Sequence, residues 1–380
     1  MAEGDIGAVI DSLEFEAVRI YEMDFIHVTG DIYAVAYRGP DSDGWLKTFE
    51  IDSAGNIGGA FIDSFEFNAD RGLVPRILHV SGTVFAIIHG GSDYDGWCHT
   101  VTIDASGNIG GAVVDSLEYN AVKSTSQDFV HVSGNVYAAA YQGNLDAGYL
   151  TTWIIDPAGL MPASVIETTD WLPAKMLAPA IINTQGNIYL IAYRDAALAG
   201  VVLSLSISAV GDISGAAIDS LTFDAVSGEN PRLIAVSDEV YAVVYKGEGA
   251  AGTLKTFSVN AAGNIGAAAI DTFVFDATQG LNPDILHVSG DAFVIVYTGA
   301  DADGFIQTVS IDADGNIGAS AISTYEFNET NATNCRLLFI SDQLYAIVYK
   351  DTGDNGVVET LGIETLYPAG GDHLTFLGVG

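Results

Sequence analysis

The sequence predicts an all-β fold, a seven-bladed β-propeller of four-stranded antiparallel blades, and three observations predict it. A turn glycine recurs at Gly55, Gly107, Gly159, Gly211, Gly263 and Gly315, each 52 residues after the last, with Gly4 ahead of them in nearly the same phase. A second set, Gly44, Gly96, Gly148, Gly200, Gly252, Gly304 and Gly356, keeps the same 52-residue spacing. Within each repeat, β-branched and aromatic residues fill short runs and no stretch has the period of a helix. Repeats of this length build solenoids, propellers or arrays, and strand-only content selects the propeller. Seven units account for nearly all of the 380 residues, so 1–380 reads as a single domain.

The fifth repeat shows the unit. Residues 231–237 form an inner strand (a), 240–245 a second (b), 253–259 a third (c) and 269–275 an outer one (d). Gly263-Asn264 supplies the positive φ angles that the tight c–d turn requires. This phase leaves residues 9–15 as an orphan outer strand ahead of the first blade. Docking it onto the last blade closes the ring and removes an open edge. Residues 373–379 lie at the right phase to compete for the same place, so 366–380 is left as a tail or an extra strand. The closure resembles that of WD-repeat propellers. No Gly-His or Trp-Asp signature and no kelch motif is present, so the resemblance implies the fold and carries no functional residues.

Thirteen basic residues against forty-nine acidic ones give a formal charge of −36. Nucleic acid is excluded as a partner because its phosphates would be repelled. No apolar run reaches the ~20 residues of a membrane span, and the repeat begins at once, so a leader is expected to be absent or already removed. Acidic surfaces suit an extracellular or cell-surface setting, which the sequons at Asn328 and Asn331 also favour. Cys98 and Cys335 fall in distant blades and read as buried thiols.

The a–b and c–d hairpins are tight and nearly invariant, and they share one face. The d–a and b–c loops share the other face and vary, as in GPDSDG at 39–44, DAALAG at 195–200 and NETNATN at 328–334. Variable loops on a rigid scaffold carry sites, so a ligand is expected on this second face, near the channel. One ring there carries Asp24, Arg76, Asp128, Ala180, Arg232, Asp284 and Arg336, which reads as blade-to-blade ion pairing or as a collar around a ligand. The alternation satisfies itself, which favours pairing. At the end of strand b, Arg38, Arg194, Lys246 and Lys350 form a cationic ring suited to a carboxylate or sulfate, or to neutralising loop acids. Trp45 and Trp97 follow the b–c turns as sugar platforms or as packing.

His27, His79, His131 and His287 share one position and are expected to pack against the neighbouring blade rather than to ligate metal. Asp41, Asp43, Asp93, Asp95, Asp301 and Asp303 form D-x-D-G loops whose hard oxygens would suit calcium; ordinary Asp-Gly turn chemistry explains them more readily, so no cofactor is expected, calcium being the one alternative. Trp171, Leu172 and Met176 replace a polar loop and read as a patch for a partner. No catalytic motif appears.

The expectation is a non-enzymatic extracellular or cell-surface binding and assembly module for a glycan or a protein, self-associating through its tail. The alternatives are a carbohydrate-active enzyme, an acidic-polysaccharide lyase or glycosidase, working at the channel mouth, and a duplicated or engineered scaffold without a ligand.

Overall fold

In the computed structural model, which describes residues 2–169 and 175–365, seven sheets of four antiparallel strands stand in a ring. Blade 1 consists of Met23–Thr29, Ile32–Arg38, Gly44–Glu50 and Asp63–Asn68. Inner strands of the next six blades are Leu73–Ser81, Thr125–Ser133, Leu177–Asn183, Glu229–Ala235, Leu281–Ser289 and Thr333–Ser341. Strand b of every blade is almost wholly buried, because sheets pack on both of its faces and its residues are apolar without alternation.

Ring closure falls to the N-terminal strand. Ile6–Glu16 pairs antiparallel with Gly356–Ile363, the third strand of blade 7, with Leu13 opposite Val358. The competing segment 373–379 lies outside the described residues.

Both glycine series have physical causes. Each turn glycine has φ between +82° and +95° and offers its carbonyl to a buried hydroxyl of the preceding blade. The bonds run Thr48 to Gly107, Thr100 to Gly159, Thr152 to Gly211, Ser204 to Gly263, Thr256 to Gly315, Thr308 to Gly4 and Thr360 to Gly55, all at 2.5–2.7 Å. The last two cross the closure in the same geometry as the rest. A parallel belt joins a strand-d carboxylate to the amide two residues beyond the next blade's glycine, as Asp63 Oδ2 accepts from Ile109 N at 2.8 Å. At the closure Ser323 takes the carboxylate's place, accepting from Ile6 N at 3.3 Å. The second series lies beneath large side chains. A Cβ at Gly44, Gly252 or Gly200 would come within 2.2 Å of the ring of Phe67, Phe275 or Phe223.

Blade 3 departs from the pattern. Its described outer strand is only Glu167–Thr169, and Met176 fills the space over Gly148. Met176 is fully buried in the core between blades 3 and 4, so it lies inside the fold and not on an outward patch. Trp171 and Leu172 lie outside the described residues.

Candidate functional site

The loops from d to a and from b to c share one face, where the inner strands begin. In six blades strand a opens with a bulge: the register shifts between Leu73 and Arg76, for example, and between Glu229 and Arg232. The bulged residues Val74, Ser126, Ala178, Asn230, Asn282 and Asn334 all have φ between 47° and 57°. Valine in this left-handed region is strained, and such strain concentrates at working sites. Bulges of this kind re-aim the side chains that follow.

These bulges surround a cavity of about 230 Å³ at the channel mouth, which also draws on Gln127, Arg76, Arg232 and Arg336. On one side an amide ladder crosses three junctions. Asn230 donates to Asn282 Oδ1 at 2.6 Å, Asn282 to Asn334 Oδ1 at 3.1 Å, and Asn334 to the Tyr21 carbonyl at 3.4 Å.

The collar of alternating charge is real but only partly an ion-pair device. Arg76 Nε lies 3.5 Å from Asp128 Oδ1. The blade-to-blade pairing expected of the ring stops there: no carboxylate of the described residues lies within 4.0 Å of Arg336, and the same holds for Arg232. The aspartates spend an oxygen on main chain instead. Asp24, Asp128 and Asp284 accept from the amides of Ile77, Ile181 and Leu337 in the following blades at 2.9, 3.0 and 3.1 Å. Arg336 in turn donates to the Cys335 carbonyl at 2.9 Å, and Arg76 to that of Pro75 at 3.1 Å. Burial, with repulsion from Arg232 and Arg76, pushes the Arg336 guanidinium down to about 9. Arg232 is lowered by burial and by Arg76. Burial also raises the Asp24 carboxyl.

Every member of the cationic ring has an acidic neighbour. Arg38 lies 3.4 Å from Glu22, Arg194 and Lys246 share Glu229 at 2.8 and 3.0 Å, and Lys350 lies 2.8 Å from Asp354. Trp45 packs half-buried against blade 1's core, close to Gly39, and Trp97 stacks on His99 with centroids 5.8 Å apart.

The recurring histidines pack within their own blade, not against the next one. His27, His79, His131 and His287 sit at 2.8–3.0 Å from the carbonyls of Gly30, Gly82, Gly134 and Gly290. Their rings lie about 5 Å from Tyr33, Phe85, Tyr137 and Phe293, because antiparallel register puts each aromatic directly opposite. In the D-x-D-G loops the first aspartate is exposed and the second is buried or half-buried. Among the described residues no group of three or more His, Cys, Asp or Glu is placed to hold a metal ion. Asn328 of the first sequon is an internal cap: its Oδ1 accepts from Thr330 and Asn331 at 2.9 Å, and its Nδ2 donates to Tyr349 at 3.1 Å. Cys98 and Cys335 are buried free thiols.

The bulges escaped sequence reading because their requirement is on the backbone. Position 74 and its equivalents hold Val, Ser, Ala and Asn, which share no side-chain chemistry.

This fold and channel define a seven-bladed propeller, and comparison with solved structures places it among such proteins. The periplasmic gluconolactonase of Pseudomonas aeruginosa is 15% identical, with a TM-score of 0.59 over 82% of this chain and 86% of its own. Sqt1 from Chaetomium thermophilum is 12% identical, TM-score 0.56, over 91% and 85%. A putative 6-phosphogluconolactonase from Bacteroides uniformis is 10% identical, TM-score 0.55, over 86% and 93%. At such identities the likeness is one of fold. No family model matches the chain, and no curated protein matches it.

Proposed function

We propose that this propeller is a non-enzymatic binding module that takes its ligand at the channel mouth on the d–a and b–c face. The observation that supports it is the cavity among the strained bulges, lined by arginine and amide side chains in a chain of formal charge −36. Such a concavity draws anionic, hydroxylated groups while the rest of the surface repels them. An acidic glycan fits that chemistry, with Arg38, Arg194, Lys246, Lys350, Trp45 and Trp97 as rim contacts, and so does an acidic protein segment. No helix among the described residues is long and apolar enough to cross a membrane; an extracellular or cell-surface setting belongs to the same proposal, as does self-association through 366–380.

A screen of neutral and acidic glycans against immobilised protein tests the reading. Acidic glycans are expected to be retained, and Arg38→Ala with Lys246→Ala to weaken retention without lowering thermal stability. Equal retention by wild type and double variant removes the rim from the site, and no retention of any glycan or acidic peptide overturns the module.

The enzyme alternative has one observation of its own. Burial raises the carboxyl of Asp24, which belongs to the same ring of strand-a residues as the cavity's arginines, and a raised carboxyl is the state a general acid needs. Two of the structural neighbours bear lactonase names, so lactones belong in the substrate panel. Turnover lost in Asp24→Asn would establish catalysis.

A further inference from the structure

We propose that Arg76, Arg232 and Arg336 form one seat for an oxyanion carried on a small hydroxylated molecule: a phosphate, sulfate or carboxylate with a neighbouring hydroxyl. The inference rests on the channel-mouth reading above and names its ligand class.

Three observations carry it. The three guanidiniums line the cavity while the three aspartates that alternate with them do not. Those carboxylates are held by main-chain amides of the following blades, and of the three arginines only Arg76 has an ion-pair partner among the described residues. Positive charge is thus concentrated at the cavity, where Glu22, 3.4 Å from Arg38, is the one carboxylate among the described lining residues. Arg232 and Arg76 disfavour the charge on Arg336, and Arg76 disfavours that on Arg232. An anion among them relieves that repulsion, and planar guanidinium forks suit carboxylate and tetrahedral oxyanions alike.

Gln127 supplies the requirement for a hydroxyl. The side chain is 1% exposed and its Nε2 donates at 2.8 Å to the carbonyls of both Leu73 and Val74. Two carbonyl acceptors fix the amide orientation, which leaves Oε1 as a buried acceptor without a partner among the described residues. A buried acceptor without a donor is a standing cost that a ligand hydroxyl removes. The cavity of about 230 Å³ holds the volume of roughly eight waters, which admits a group the size of a monosaccharide or smaller.

Thermal melts and calorimetry would use sodium phosphate, sodium sulfate, glucose 6-phosphate and sodium glucuronate, each against sodium chloride of equal ionic strength. Wild type is expected to melt several degrees higher in at least one of these than in chloride. Glucose 6-phosphate should bind at least tenfold tighter than phosphate, because it adds hydroxyls for Gln127 and the asparagines. If glucuronate is the tightest instead, the anionic group is a carboxylate. Arg232→Gln is expected to melt as high as wild type in chloride, or higher, and to lose the ligand response at least tenfold. Equal shifts in wild type and Arg232→Gln, or shifts that chloride reproduces, overturn the seat. Glycan retention that survives Arg232→Gln and is not competed by any of these anions overturns the seat while sparing the binding face.

Discussion

Thr152 donates at 2.7 Å to the carbonyl of Gly211 in the next blade, and neither group has water to turn to. A neutral hydrogen bond contributes about 0.5–1.5 kcal/mol, and stranding a buried carbonyl adds to the loss. Thr152→Val keeps the shape and deletes the donor, so urea unfolding should show a loss of about 1–2 kcal/mol with an unchanged slope. Blade 2 offers a second residue-scale test. His89 stands where six blades have tyrosine, and its ring lies 4.9 Å from that of His99. Burial holds both imidazoles down, His89 to about 3 and His99 to about 4. The unfolded chain therefore binds protons more readily than the folded one below about 6.5. Their contribution is complete above that pH and is lost as pH falls toward 4. His89→Tyr with His99→Thr copies blade 3, and its stability should fall less than wild type's between pH 6.5 and 4.5. Parallel pH profiles would show that the pair contributes nothing to the acid response.

At the scale of the element, strand c depends on having no side chain at its first residue. A Cβ on Gly252 would meet Phe275 at 2.1 Å, whereas one on Gly59 would meet nothing within 4 Å. Gly252→Ala should cost at least about 1–3 kcal/mol through overpacking, and Gly59→Ala should be near neutral in the same assay. This contrast also marks what the sequence could reveal. Gly252 and Gly55 recur because close approach and positive φ accept no other residue, so the period, the blade and the closing strand were all legible. Strand ends of the fifth repeat were read within two residues, since bulges such as that from Glu229 to Arg232 extend strand a beyond its apolar run, whereas the closing strand begins at Ile6, three residues before the 9–15 expected. The roles of Arg232 and Asp284 were not legible, because alternating signs look self-cancelling until the backbone amides that hold the aspartates are known. Met176 misled for a related reason: its burial depends on Gly148 in another blade.

For the whole molecule, a formal charge of −36 means that folding compresses like charges, and salt screens them within about 10 Å at 0.1 M. Raising sodium chloride from about 0.02 to 0.5 M should lift the melting temperature by on the order of several degrees. A flat response would mean that the acids are already neutralised locally. Removing residues 2–16 should be far more damaging than any point change. It strips the outer strand from blade 7, deletes the Gly4 acceptor and bares the strand Gly356–Ile363 as an edge. Light scattering is expected to show aggregates in place of the folded ring. Removing 366–380 should leave a folded ring and abolish any oligomer; loss of folding would instead make that segment structural.

The belt of hydroxyl-to-carbonyl bonds treats the closure like any other junction, with Thr308 to Gly4 and Thr360 to Gly55 both at 2.6 Å. The chain's beginning therefore holds no privileged position in the circle. A circular permutant, its old ends joined by a flexible linker and its new ends cut between the exposed c–d turn residues Ala261 and Ala262, should fold to the same ring.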